Sequence, residues 1–245
     1  MNLPGRLHLE ITNRCNSRCQ TCIRTLRPEP ARDMTLADIE RYLDGLPGLD
    51  SVALQVNGEP FLHRELPAIV RMLVARRIRV ELNTNGTMLV THRAAEVIAA
   101  GLHALNVSID AMDPCVYADL RGIDAHAKVV RGLARFLRYR GRSPARPRVA
   151  LWMTANRRNL RDLPRLVDLA ARVGAEEVHL QRLVWFEELL AREEESLHGR
   201  LDGGLRAVIA EAEVRATLGG VVLRACGRHG PTAMLERPAD PEPWR

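Results

Sequence analysis

From residue 7 to residue 225, short apolar runs alternate with longer segments whose apolar residues fall at helical spacing, and this limits the possible fold more than any other feature. The runs at 7–12, 51–57, 79–84, 104–109, 148–153, 177–182 and 221–225 are β-branched or alternating, as strands are. Between them, Ile69, Met72, Leu73 and Ile78 share one helical stripe, and Leu163, Leu166, Val167 and Ala170 share another. Thr35 with Asp38 three residues later reads as a capping-box start, while Gly101 and Gly174 read as helix ends. Strand-helix alternation repeated about six times requires a parallel sheet of the α/β class. Periodicity leaves open whether that sheet is doubly wound or curled into a full or partial barrel. Either way, reactive groups belong in the loops after the carboxyl ends of the strands.

A chain of 245 residues fits one such domain, expected here over residues 1–227. Residues 228–245 carry Pro231, Pro238, Pro241 and Pro243 and read as a tail or linker without regular structure. A second break at 140–148, with Pro144 and Pro147, reads as the loop feeding the fifth strand. The formal charge of +6 raises the question of nucleic acid, but all but one of the 36 basic residues are arginine, the exception being Lys128. They lie scattered among acids, as in Arg192-Glu193-Glu194-Glu195, whereas phosphate binding needs a clustered positive surface. No nucleic-acid partner is expected. No run approaches the roughly 18 apolar residues of a membrane span, and no apolar stretch with a small-residue cleavage site opens the chain. The cytoplasm is the expected compartment.

Three of the five cysteines fall in Cys15-Asn16-Ser17-Arg18-Cys19-Gln20-Thr21-Cys22, directly after the first strand run. An odd cysteine count with three packed so closely is a ligand set rather than a disulfide framework. Three thiolates can hold three irons of a cubane cluster, whereas structural zinc takes four protein ligands. Cys115, Cys226 or His63 could supply a fourth, although no second C-x2-C pair exists. In the cubane reading one iron stays open and can chelate an amino and a carboxylate group.

The C-x3-C-x2-C spacing after the first strand resembles the radical S-adenosylmethionine (radical SAM) superfamily, and the core is similar to its SPASM and twitch-type members, which include peptide-modifying and sulfatase-maturating branches. The resemblance implies a partial (β/α)6 TIM-like barrel, a 4Fe-4S cluster on Cys15, Cys19 and Cys22, and bound S-adenosyl-L-methionine (SAM). Thr21 departs from the aromatic residue that the family usually places there against adenine. Asn57-Gly58-Glu59-Pro60 resembles the family's Gly-Gly-Glu-Pro motif, which holds the methionine amino group, with Asn57 in place of the first glycine. By position, Asn85 in Asn83-Thr84-Asn85-Gly86 and Ser108 and Asp110 at the end of the fourth strand are implied SAM contacts, together with Arg121 for the carboxylate. Trp152, Met153 and Thr154, and Arg182, Leu183 and Val184, are either core packing at strand ends or adenine contacts. None of the eight histidines receives a role.

The activity so implied is reductive cleavage of SAM to a 5′-deoxyadenosyl radical, which abstracts hydrogen from a peptide or protein side chain or from a small molecule. An electron donor of flavodoxin or ferredoxin type is the expected partner. Because no auxiliary-cluster cysteines follow the barrel, the chain is either a naturally short member or a truncated one, and a further C-terminal domain, an accessory protein or another copy of this chain is expected to be needed for efficient substrate modification. The alternative is a non-catalytic iron-sulfur or zinc-binding interaction module with a degenerate SAM pocket.

Overall fold

The computed structural model describes residues 5–27, 29–183, 192–226 and 230–236. Its strands are β1 (Arg6–Leu9), β2 (Ser51–Leu54), β3 (Arg79–Thr84), β4 (Ala104–Ser108), β5 (Arg148–Ala155), β6 (Glu177–Arg182) and β7 (Val222–Ala225). All seven pair in parallel, in the order of the sequence. The helices are α1 (Ile23–Leu26), α2 (Leu36–Asp44), α3 (Leu66–Ala75), α4 (Arg93–Ala99), α5 (Pro114–Arg121), α6 (His126–Gly141), α7 (Leu163–Val173), α8 (Gly203–Gly219) and α9 (Pro231–Leu235).

The strand order decides what periodicity left open. Parallel crossovers are right-handed, so a sheet whose every crossover steps the same way carries all its helices on one face. Along the strands, Val52, Leu54, Val80, Leu82, Leu105, Val107, Val149, Leu151, Val178 and Leu180 are fully buried against that helical layer. Residues of the opposite parity, among them Glu81, Asn83, Asn106, Ser108, Thr154, Glu177, His179 and Arg224, form a polar second face. A doubly wound sheet buries both faces and reads apolar throughout its strands. This sheet is a partial barrel with β1 and β7 at its two edges and a polar concave interior. Its seven strands fall on the seven strand runs of the sequence, one more than the six of the (β/α)6 type.

Local chemistry sets the boundaries. The Thr35 hydroxyl accepts the Asp38 N–H at 3.1 Å to open α2, and Gly174 ends α7. Ile78 lies outside α3, buried at the approach to β3. Strand β1 stops at Leu9; Ile11 then enters the core and Thr12 forms an isolated bridge to Asp33. The irregular stretch expected from residue 228 requires correction. Pro231 occupies the first turn of α9, where its missing N–H costs nothing, and Leu235 is buried where α9 packs on α8, β6 and β7. Pro238, Pro241 and Pro243, like Val184, lie outside the described residues. Among the described residues no helix is long and apolar enough to cross a membrane.

Candidate functional site

The cysteine loop follows β1 and is held on both sides by bare backbone. The Glu59 N–H donates to the Arg14 carbonyl at 2.7 Å, and the Arg18 and Gln20 N–H groups donate to the carbonyls of Arg121 and Leu120 at 3.1 and 3.0 Å. A side chain at Gly58 would put its Cβ 1.8 Å from the Thr12 carbonyl oxygen. Gly122, the left-handed cap of α5 at φ 61°, passes the loop so closely that a Cβ there would lie 2.4 Å from the Arg18 oxygen. Only glycine allows either approach.

Side chains complete the clamp. The Asn85 amide donates to Asn16 Oδ1 at 2.7 Å and to Ser17 Oγ at 3.2 Å, and lies 3.8 Å from Cys15 Sγ. Asn16 in turn donates to Thr87 Oγ1 at 2.8 Å. Asn85 therefore orients the cysteine loop, a role the turn-like Asn-Thr-Asn-Gly sequence does not announce. The Glu59 carboxylate, almost wholly buried, accepts from Thr84 Oγ1 at 2.7 Å, the Asn85 N–H at 2.6 Å and the Phe61 N–H at 3.1 Å. It ties the loop after β2 to the loop after β3. One of its roughly four acceptor positions remains for a ligand. Burial pushes the Glu59 carboxyl up, against the pull of these hydrogen bonds.

Arg121, at the end of α5, has a side chain only 12% exposed and pairs through Nη1 with Asp110 at 2.9 Å. Asp110 also accepts the Thr154 N–H at 2.8 Å, which fixes it. Burial alone would lower the Arg121 pKa, but Cys19, Asp110 and Tyr117 raise it by more, so the guanidinium is held charged. Burial pushes the Cys19 thiol up to about 11, with Arg121 pulling it back down. Two buried polar atoms here have no hydrogen-bond partner among the described residues, Arg121 Nε and the Tyr117 hydroxyl. Tyr117, its pKa raised to about 12 by burial, lies within electrostatic reach of Arg121 but makes no well-formed bond to it.

These groups surround an open cleft of about 190 Å³. Cys15, Cys19 and Cys22 line it, with Asn57, Gly58 and Glu59 from the loop after β2, Asn85 from the loop after β3, Ser108 from β4, and Arg121. Thr21 lines it as well, where an aromatic was expected. Asp110 sits behind Arg121 rather than on the lining. At the lip, Val56 holds φ at 140°, a region that β-branched residues rarely enter, and the Asn57 N–H after it donates to Glu10 at 2.8 Å. Of the other strand-end candidates, Met153 is core and Trp152 stacks on His179 elsewhere on the concave face.

The sequence matches the radical SAM superfamily model over residues 9–170. The chain belongs to the radical SAM superfamily. Radical SAM proteins use a 4Fe-4S cluster and SAM, and the residues present fit both groups: three thiols in one loop, a buried donor left free at Arg121 Nε, and a side-chain-free wall at Gly58. A cubane takes each thiolate on a different iron, so the triad need not converge on one point. Among the described residues no three His, Cys, Asp or Glu side chains do.

Curated relatives include the GTP 3′,8-cyclase of Tolumonas auensis, 34% identical over 132 residues that cover 52% of this chain and 39% of that protein. The probable GTP 3′,8-cyclase of Halobacterium salinarum is 33% identical over 198 residues, 77% of this chain and 52% of its own. The chain thus spans about half or less of the length of these radical SAM relatives. Among solved structures, Streptococcus suis SuiB bound to S-adenosylmethionine aligns with TM-score 0.72 at 15% identity, over 94% of this chain and 52% of that one. A radical SAM methyltransferase from Sphaerobacter thermophilus aligns with TM-score 0.66 at 15% identity, over 96% and 70%. At that identity the likeness concerns the fold.

Proposed function

We propose that this chain is an enzyme in which Cys15, Cys19 and Cys22 hold the 4Fe-4S cluster and the adjoining cleft takes SAM. The observation that carries this reading is the single cleft lined together by the three thiols, Gly58 and Arg121. When bound, the cluster and SAM supply one electron and a 5′-deoxyadenosyl radical able to abstract hydrogen from a substrate. The chain's own residues position them. Arg121, held by Asp110, donates to the methionine carboxylate. The remaining acceptor of Glu59 and the backbone of Asn57 and Gly58 meet the methionine ammonium, and Ser108 faces the ribose. Asn85 keeps Cys15 and its loop in place.

The electron comes from a flavodoxin or ferredoxin-type donor in the cytoplasm. For the substrate, a peptide or protein side chain is the first reading, by resemblance alone; the GTP 3′,8-cyclase names of the sequence relatives favour a nucleotide-sized small molecule as the second. Strand β7 presents an unpaired edge among the described residues, which a further domain or an accessory protein would cover. The test is to reconstitute the protein anaerobically, reduce it, and measure 5′-deoxyadenosine from SAM with GTP and with candidate peptides in parallel. Stoichiometric zinc with no iron-sulfur absorption would sink the reading. An intact cluster that never cleaves SAM would replace it with the non-catalytic module.

A further inference from the structure

Away from the cysteine cleft, the concave face carries a second constellation that the cofactor chemistry does not use. Strand pairing sets Trp152 beside His179 and His179 beside Arg224. The ladder continues past β7 through the Cys226 N–H, which donates to the Leu180 carbonyl at 3.1 Å. Side-chain alternation then turns Cys226 to the same face as Arg224 and His179. Cys226 Sγ lies 3.4 Å from His179 Nε2, and His179 Nδ1 lies 3.4 Å from Glu177 Oε1. The other Glu177 oxygen is fixed by Arg148 at 3.1 Å and Arg224 at 3.2 Å.

A histidine leaning on a carboxylate is ordinary packing. Two further observations separate this one from it. The second ring nitrogen faces a thiol, which gives the order nucleophile, base and orienting carboxylate. The Trp152 indole is stacked on the imidazole, centroids 4.3 Å apart and planes 16° apart, and its buried Nε1–H has no partner among the described residues. The stack fixes the plane of the imidazole, and with it the direction in which Nε2 meets the thiol. Trp152, Glu177, His179 and Arg224 line a cavity of about 370 Å³; Cys226, half-buried, is not on its wall and adjoins it through His179. Burial opposes protonation of His179, yet Cys226 and Glu177 raise its pKa to about 9.

We propose that Cys226, His179 and Glu177 form a second reactive site, at which the thiol adds reversibly to a carbonyl carbon of a molecule bound against the concave face. The sulfur-carbon bond forms as the C=O π pair moves to oxygen. That oxygen takes the proton from His179 Nε2, the proton that originated on the thiol. The product is a thiohemiacetal, with no change of oxidation state. This inference stands apart from the SAM reading, because thiol reactivity is measured without reductant or SAM.

The experiment follows iodoacetamide labelling of the anaerobically reconstituted protein, in which the cluster occupies Cys15, Cys19 and Cys22, by peptide mass spectrometry. Cys115, exposed on α5, is the internal reference. Cys226 should label about tenfold or more faster than Cys115, and His179→Gln should remove that advantage without altering Cys115. Iron content and the melting curve verify that the variant is folded, and Glu177→Gln should give an intermediate rate. Propionaldehyde added beforehand should slow Cys226 and spare Cys115. A Cys226 rate equal to that of Cys115, or one indifferent to His179→Gln, overturns the site; equal slowing of both thiols by the aldehyde overturns its carbonyl chemistry.

Discussion

Around β1 to β4, Glu59, Thr84, Asn85 and Asn16 direct their hydrogen bonds into one another's loops, so the polar groups lock the cysteine segment in place. Around β5 to β7, Glu177, Arg148, Arg224 and His179 pair in a chain of charges beside an open cavity. The first region is a fixed seat. The second is a set of functional groups with room next to them. The family match over residues 9–170 takes in the first region except for most of β1, and leaves out β6 and β7. The proposed cofactor seat therefore lies within the matched residues, and the Cys226–His179–Glu177 group lies outside them.

The largest effects should come from the seat. Cys15→Ala, Cys19→Ala and Cys22→Ala should each abolish the iron-sulfur absorption and the binding of about four irons, while Cys115→Ala and Cys226→Ala retain both. Iron, sulfide and visible spectra after reconstitution decide this. Gly58→Ala should come next, because the new methyl group cannot share space with the Thr12 carbonyl. We expect a loss of about 3 kcal/mol or more in chemical denaturation, with impaired cluster loading. An unchanged melting curve would show that the clamp on the loop is looser than described. Arg121→Ala leaves Asp110 buried without its cation and should weaken SAM binding by about a hundredfold, or ~2–4 kcal/mol, in calorimetry of the cluster-loaded protein.

Smaller effects should separate the second region from the first. The His179 pKa is raised from 6.5 to about 9, so its contribution to stability is complete below pH 6.5 and is lost as pH rises through about 9. Denaturation midpoints should fall across that window in the parent chain and fall less in His179→Gln. A slope that the variant keeps in full would place its origin elsewhere. Least affected should be Leu218→Ser, since Leu218 is 83% exposed on α8; a change beyond about 0.5 kcal/mol would mean that this helix face is covered in solution.

Much of this was legible in the sequence wherever a residue's role depends on near neighbours. The cysteine spacing, the Thr35 cap and the strand runs are local signals, and the structure carries each within a few residues. The Glu59 motif is visible in the sequence, but its three hydrogen bonds come from residues 61, 84 and 85, and no spacing rule reports how many acceptors remain free. Asn85 reaches back 69 residues to Asn16. His179 and Cys226, 47 residues apart, meet only because β6 and β7 pair in one particular register. One shift of that register would turn the thiol to the other face, and single-residue chemistry gives no hint of it. Pro231 misled for a related reason: proline disfavours a helix interior but suits a helix start, and the burial that stabilises α9 belongs to distant strands.

The two glycines flanking the cysteine loop have a consequence for how such a site can change over generations. Where side chains set a gap, a larger or smaller residue can retune it in small steps. At Gly58 and Gly122 main chain meets main chain, so the distance between the cysteine loop and the cleft wall behaves as a fixed gauge with a single setting. Any side chain placed at either glycine would have to move main chain to be seated, so the gauge cannot be reset by one substitution alone.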